Sequence, residues 1–180
     1  MVKIFVTALV GLITLGTFAQ NGTISPYSYF GFGDLRIRGT VENQMMGGLQ
    51  MYADSIHINL RNPAAYSKLR LTAYSAGISR NELELQDASE TQRAAITNLE
   101  YIAIGFPISE NMGFGFGLLP FSSVGYSVVS QATNQDGFEV NNAFTGSGGL
   151  NRAYLSFGYA PTKNLSLGAT ANFTFGTLEF

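Results

Sequence analysis

The 180-residue sequence contains no cysteine and no tryptophan, and charged residues make up only 12% of it. The absence of cysteine excludes disulfide frameworks, thiolate metal sites and cysteine nucleophiles. The 10 Lys and Arg residues are scattered singly, so we expect no nucleic-acid partner. Glycine is abundant, with 21 residues, and aromatic residues reach 13%. Because 46% of the residues are hydrophobic and the net charge is only -2, the composition excludes a disordered chain. It favours a β-rich fold.

The first 19 residues have the pattern of a secretory signal peptide. Lys3 precedes an apolar run from Ile4 to Leu15, and small residues, ending with Ala19, follow the run. The apolar run is too short to cross a bilayer as a helix, which needs ~20 residues. We therefore predict that residues 1–19 are a signal peptide cleaved near Ala19, with a buried core helix as the alternative. Because no cysteine follows the cleavage point, we expect no lipoprotein anchor there.

The rest of the chain divides into two parts with different patterns. Residues 20–66 carry turn-forming residues every few positions, which predicts an irregular, compact segment. Residues 67–180 show period-two alternation, which predicts antiparallel β-strands. The clearest run is 165–175, where apolar residues alternate with small polar ones. Further runs lie at 69–79, 101–108, 113–118 and 154–159.

The spacing of these strands favours a β-barrel over a β-sandwich. Short turns alternate with longer polar stretches, 80–93 and 130–151, as in a barrel with tight turns on one rim and long loops on the other. Glycine within the strands and aromatic residues near the strand ends also favour a barrel. We therefore predict an all-β fold, an antiparallel transmembrane β-barrel with an irregular N-terminal segment. A secreted, soluble β-sandwich stays open as the alternative, since its strands alternate in the same way.

We expect no catalytic residue, metal site or cofactor. His57 is the only histidine and lies close to Asp54 and Ser55, but three residues packed into four positions do not generally form a catalytic triad. The glycine-rich run 113–117 lies in a predicted strand, with no following helix to hold a phosphate. Residues 146–151 lack the lysine of a phosphate-binding loop.

A series of motifs runs through the mature sequence in a fixed order. The motifs are Ser25 to Leu35, Met46 to Leu49, Ala53-Asp54, Asn62-Pro63-Ala64, Gly117 to Tyr126, Gly146 to Leu150 and Lys163 to Gly168. Together they resemble the FadL/TodX family of outer-membrane transporters, and in particular its Bacteroidetes branch. Asn62-Pro63-Ala64 is the most specific of them. The resemblance spans about residues 24–179.

The resemblance implies a wide barrel of about fourteen strands that is plugged by an N-terminal hatch. Residues 20–66 would be the hatch, with Asn62, Pro63 and Ala64 at its junction with the first strand. Residues 67–180 hold only about five to eight strands at ~10 residues per strand. We therefore expect the sequence to be the N-terminal portion of a longer barrel.

The resemblance also implies a function, namely passive uptake of hydrophobic compounds across the outer membrane of a Gram-negative bacterium. Long-chain fatty acids or aromatic hydrocarbons would be the solutes, the contacts would be with outer-membrane lipids and hydrophobic small molecules, and no chemical step would be needed. Hatch side chains would bind the ligand, with packing against the wall as the alternative for each: Phe30, Phe32, Leu35, Met45 and Met46. The alternative function is a FadL-like barrel that serves as a secretion-system or surface-assembly subunit with a protein partner at the cell surface.

Overall fold

A computed structural model describes residues 22–36, 39–86, 91–133 and 139–180, so the predicted signal peptide lies outside the described residues. The helical elements are a first 3₁₀ helix, Pro26–Tyr29, the α-helix α1, Val41–Met45, and a second 3₁₀ helix, Pro63–Lys68. The strands are β1 (Asp34–Leu35), β2 (Ala73–Gln86), β3 (Thr91–Ser109), β4 (Met112–Thr133), β5 (Glu139–Thr162) and β6 (Leu165–Glu179). Among these described helices, none has the length and apolar character needed to cross a membrane.

Strands β2 to β6 form one antiparallel sheet in which each strand pairs with the next along the chain. The short strand β1 pairs with β4, so the sheet has six strands. The predicted all-β antiparallel fold is confirmed. The sheet is open in the described part of the chain, with β2 and β6 at its two edges.

One face of the sheet, here called the outer face, is covered with apolar side chains. Adjacent strands place these residues in cross-strand rows, because antiparallel partners lie on the same face. Two such rows are Ile104–Phe116–Leu155–Ala171 and Phe106–Phe114–Phe157–Ala169. The rings of Phe106 and Phe114 lie 5.4 Å apart. Phe173, on the same face of β6, is 70% exposed, so nothing in the described part of the chain covers this end of the outer face.

The opposite, inner face holds many small residues and packs against residues 22–36 and 39–72, here called the inner segment. Gly113, Gly158 and Gly168 lie side by side on β4, β5 and β6. A Cβ atom at Gly158 would lie 2.6 Å from the carbonyl oxygen of Pro63, and one at Gly113 would overlap the carbonyl of Tyr66. The row of glycines therefore forms a groove in which the second 3₁₀ helix lies.

The strands extend further than the sequence predicted. The polar stretches 80–93 and 130–151 were expected to be long loops, but β2 and β3 pair as far as Gln86 and Thr91, and β4 and β5 as far as Thr133 and Glu139. For the described residues of both stretches the expectation was wrong, because they satisfy their backbone hydrogen bonds by pairing with the neighbouring strand. Residues 87–90 and 134–138 lie outside the described residues. The result is two hairpins that extend from the same end of the sheet.

A β-bulge at Phe121 changes which side chains of β4 face inward. Pro120 pairs with Asn151, but Ser122 pairs with Leu150, so Phe121 is the extra residue. One extra residue moves every later side chain to the other face. Beyond the bulge, Val124 is therefore buried on the inner face.

Candidate interaction surface

The inner segment is shaped by asparagine side chains that bond to its own backbone. The amide nitrogen of Asn59 donates to the carbonyls of Gln50 and Tyr52, while its side-chain oxygen accepts from the backbone of Arg61 and Asn62. Asn59 is buried, so these bonds replace those that water would otherwise make.

The motif Asn62-Pro63-Ala64 begins the second 3₁₀ helix. The side-chain oxygen of Asn62 accepts from the backbone N–H of Ala64 at 3.1 Å, and Pro63 occupies the position where no N–H is needed. This cap directs the helix toward the sheet and buries Tyr66 there. The motif thus has a clear structural part in seating the helix, while the role of hatch junction stays a prediction.

Tyr66 is the principal contact between the inner segment and the wall. It joins the main buried cluster, which consists of Ile58, Tyr66, Leu69, Tyr101, Ala103, Leu119 and Tyr154. Its hydroxyl lies 3.1 Å from that of Tyr154 on β5. Burial raises the pKa of the Tyr66 phenol well above its ordinary value, so the hydroxyl stays protonated at all physiological pH values.

Strand β1 forms a second attachment of the inner segment. It pairs with Ser122 and Ser123 of β4, beyond the point where β3 stops pairing with β4 at Leu118. The guanidinium of Arg36 lies 3.4 Å from the carboxylate of Glu100 on β3. Because both side chains are mostly buried, this ion pair ties the segment to β3 as well as to β4.

Asp54 organises a polar turn at the surface of the inner segment. Its carboxylate accepts from the hydroxyl of Tyr52 at 2.7 Å and from that of Ser55 at 3.1 Å, and lies 2.9 Å from Nδ1 of His57. These hydrogen bonds, that of Tyr52 foremost, hold the pKa of Asp54 well below its usual range. Ser55 bonds to the aspartate and not to the imidazole, so the turn lacks the hydrogen-bond order of a Ser-His-Asp triad.

The side chains predicted to bind a ligand are not brought together. They have exposed fractions of 71% for Phe30, 65% for Phe32, 64% for Leu35, 85% for Met45 and 41% for Met46. Phe30 borders an apolar cleft, whereas Leu35 lies on β1 and the two methionines lie at the end of α1. Within the described ranges, no group of three or more His, Asp and Glu side chains lies close enough to hold a metal ion. The ligand-binding role of the five residues stays a prediction.

The apolar cleft lies on the hairpin formed by the distal parts of β4 and β5. Its volume is about 300 Å³. It is lined by Pro26, Tyr29, Phe30, Tyr126, Val128 and Phe144. The rings of Tyr29 and Tyr126 pack edge to face at 5.4 Å and form its floor. Val128 and Phe144 were not predicted from the sequence, because the bulge at Phe121, which sets the face of Val128, has no recognisable sequence pattern.

The hairpin that carries the cleft has no third strand beside it in the described part of the chain. Tyr126 to Thr133 pairs with Glu139 to Gly146, while β6 reaches only Ser147 of β5 and β1 reaches only Ser123 of β4. The backbone groups on the β4 edge of this two-stranded segment are thus unpaired among the described residues and could accept a further strand.

These features define an antiparallel β-sheet protein whose described part has an apolar outer face, a packed inner segment and an exposed apolar cleft. The model of the BamG family matches residues 1–180, and the chain therefore belongs to the BamG family. Searches of curated proteins and of solved structures found no match.

Membership of the BamG family corrects two expectations from the sequence. The assignment to the FadL/TodX family was wrong, and so was the function that it implied, uptake of hydrophobic compounds. The motifs behind that assignment are short and rich in glycine, asparagine and proline, and several of them form turns of the inner segment. Such turns are required wherever an irregular segment packs on a sheet, and they do not distinguish one family from another.

The family also supports coarser statements about location and partners. BamG is associated with the BAM complex of the outer membrane, which implies an outer-membrane-associated location. It also implies protein partners in that complex. Of the two functions predicted from the sequence, the assembly-related alternative fits this finding better.

Proposed function

We propose that this chain is an outer-membrane β-sheet subunit that acts in outer-membrane assembly by binding a protein partner of the BAM complex at the apolar cleft. The observation that carries the proposal is the cleft itself, which is bordered by the 52% exposed ring of Phe144 on a hairpin whose β4 edge is unpaired beyond Ser123 among the described residues. Family membership supports the assembly role. The proposal assigns the chain no chemical step.

Binding of a partner to this hairpin should be favourable because it would stabilise the hairpin and bury apolar surface. A two-stranded hairpin is marginally stable in water, so its distal part gains from a further strand or a covering chain. Burial of apolar surface contributes about 25 cal/mol per Å². An extended segment of the partner could pair with the open edge of β4 and place an apolar side chain against Val128 in the cleft.

The two faces of the sheet suggest how the chain is placed in the membrane. We propose that the outer face contacts lipid, because exposed rows of Phe, Leu and Ile are stable in hydrocarbon and not in water. The inner segment would then be shielded from lipid by the sheet. Export by a signal peptide cleaved near Ala19 completes the proposed route to the outer membrane.

The partner surface is tested with a charge placed in the cleft. The full-length protein is tagged in its native host, and the BAM subunits that copurify in mild detergent are quantified by mass spectrometry. We expect Phe144→Asp to reduce their recovery about tenfold or more, since a carboxylate would be buried without a partner. Phe144→Leu is the matched control, because it keeps an apolar side chain in the cleft at the same position and should leave the recovery unchanged.

Two outcomes would overturn the proposal. Absence of BAM subunits from the unaltered protein's complexes would remove the assembly role. Full recovery with Phe144→Asp, in protein shown by protease resistance to be folded, would remove the cleft as the binding surface.

A further inference from the structure

We infer that a second cavity, between the inner segment and strands β4 to β6, is a binding site for a phosphate oxyanion. This cavity has a volume of about 390 Å³ and lies on the inner face, away from the proposed partner surface. It contains two arginines, Arg61 from the inner segment and Arg152 from β5. The inference does not depend on the proposed partner.

Arg152 provides the main evidence that the cavity binds an anion. It is only 8% exposed, and its Nη1 atom is buried without a hydrogen-bond partner. Its Nε donates a long bond of 3.4 Å to the hydroxyl of Thr174, and the guanidinium lies 4.0 Å from the centre of the Phe121 ring. The ring stabilises the cation, but it leaves the orphaned N–H without an acceptor.

No acidic side chain lines this cavity, and none pairs with Arg61 or Arg152 among the described residues. By contrast, Arg36, the other mostly buried arginine, is paired with Glu100. A buried cation without a counter-charge is strongly unfavourable, so the cavity is electrostatically incomplete as the protein alone forms it.

The remaining lining indicates the kind of anion that fits. Gln50, Thr170 and Asn172 bring neutral groups that can donate hydrogen bonds. Two guanidiniums and several neutral donors suit an oxyanion with three or four acceptor oxygens and a charge near -2. Phosphate has this character, whereas a carboxylate has two oxygens and a single charge. The phosphate could be free in solution or belong to a lipid headgroup.

The test measures binding of radiolabelled inorganic phosphate to the purified full-length protein in a phosphate-free detergent. We expect one site per chain, and about tenfold or greater loss of affinity in Arg152→Gln and in Arg61→Gln. Arg80→Gln is the control, since Arg80 is exposed and paired with Glu82 on β2. If Arg152→Gln does not fold, Arg61→Gln and the charge-preserving Arg152→Lys decide the matter, with weakened but measurable binding expected in Arg152→Lys.

Competition then distinguishes the sources of the phosphate. Micelles that contain a phospholipid should displace the label if the site takes a headgroup, and micelles with a phosphate-free glycolipid should not. Displacement by neither points to free phosphate. Binding no stronger than that of acetate at equal ionic strength would overturn the inference, and so would unchanged phosphate affinity in folded Arg61→Gln and Arg152→Gln.

Discussion

The hydroxyl of Tyr66 lies 3.1 Å from the hydroxyl of Tyr154, and this buried contact joins the inner segment to the wall of the sheet. The two residues are 88 positions apart in sequence. The contact depends on a groove of glycines, because a side chain at Gly115 would occupy the space of the Tyr66 ring. The position of the inner segment thus depends on the absence of a side chain at the glycines of the groove as well as on the contact between the two tyrosines.

The Tyr66–Tyr154 pair should show energetic coupling. Tyr66→Phe leaves the hydroxyl of Tyr154 buried without its partner, so we expect the free energy of unfolding to fall by about 1–3 kcal/mol. Tyr154→Phe should have a similar effect. The double variant should lose less than the sum of the two, since no orphaned hydroxyl remains. Urea unfolding of the refolded protein in detergent measures all three, and strictly additive losses would show that the two hydroxyls do not interact.

Because the second 3₁₀ helix lies directly on the glycine groove, a single added methyl group there should lower the stability of the protein. In Gly158→Ala the new Cβ would lie 2.6 Å from the carbonyl oxygen of Pro63, so the second 3₁₀ helix must move away from the sheet. We expect a loss of about 1–3 kcal/mol and faster proteolysis within the inner segment. Ala169→Val is the control, because Ala169 lies on the outer face in the same cross-strand row as Phe157. Equal protease resistance of the two variants would contradict the packing described here.

The turn around Asp54 should be sensitive to acid. Its folded-state pKa lies below the ordinary value of 3.8, so ionised Asp54 favours the folded turn above that pH. This contribution is lost as the pH falls below 3.8 toward the folded-state pKa. We expect the protection factors of the amides at residues 52–57, measured relative to the intrinsic exchange rate at each pH, to fall over that range in the unaltered protein. In Asp54→Asn the protection factors should be low at neutral pH already and should not fall further with acid; an acid-dependent loss of protection that persists in this variant would assign the effect to another group.

The parts of the fold that were predicted are those governed by local periodicity. The alternation in residues 165–175 predicted β6, because side chains of a strand point to opposite faces in turn. The bulge at Phe121 was not predictable, since it depends on how β4 meets β1 and β5. The same holds for the cleft at Phe144, whose lining comes from three separate parts of the chain. The role proposed for Arg152 could not be predicted from the sequence. The absence of a carboxylate near its guanidinium becomes apparent only when the inner face has folded.

The family was missed for a related physical reason. Turn motifs such as Asn62-Pro63-Ala64 report the local geometry that they create, here the start of a 3₁₀ helix. They carry no information about the surface that a partner would bind. The proposed partner surface is assembled from separate parts of the chain, which short motifs do not describe.

The two faces of the sheet should respond differently to a charged side chain. Ala171 lies on the outer face, in the row with Phe116 and Leu155, whereas Asn172 lines the polar cavity of the inner face. If the outer face contacts lipid, Ala171→Lys should destabilise the refolded protein in bilayers by about 2–4 kcal/mol, because the ammonium group must leave water. Asn172→Asp, one residue away at nearly the same depth, should cost far less, because its carboxylate would face the cavity that contains Arg61 and Arg152. The measurement is equilibrium unfolding from vesicles by guanidinium. Equal small effects at both positions would place the outer face in water, and a larger effect at Asn172 would reverse the orientation of the sheet.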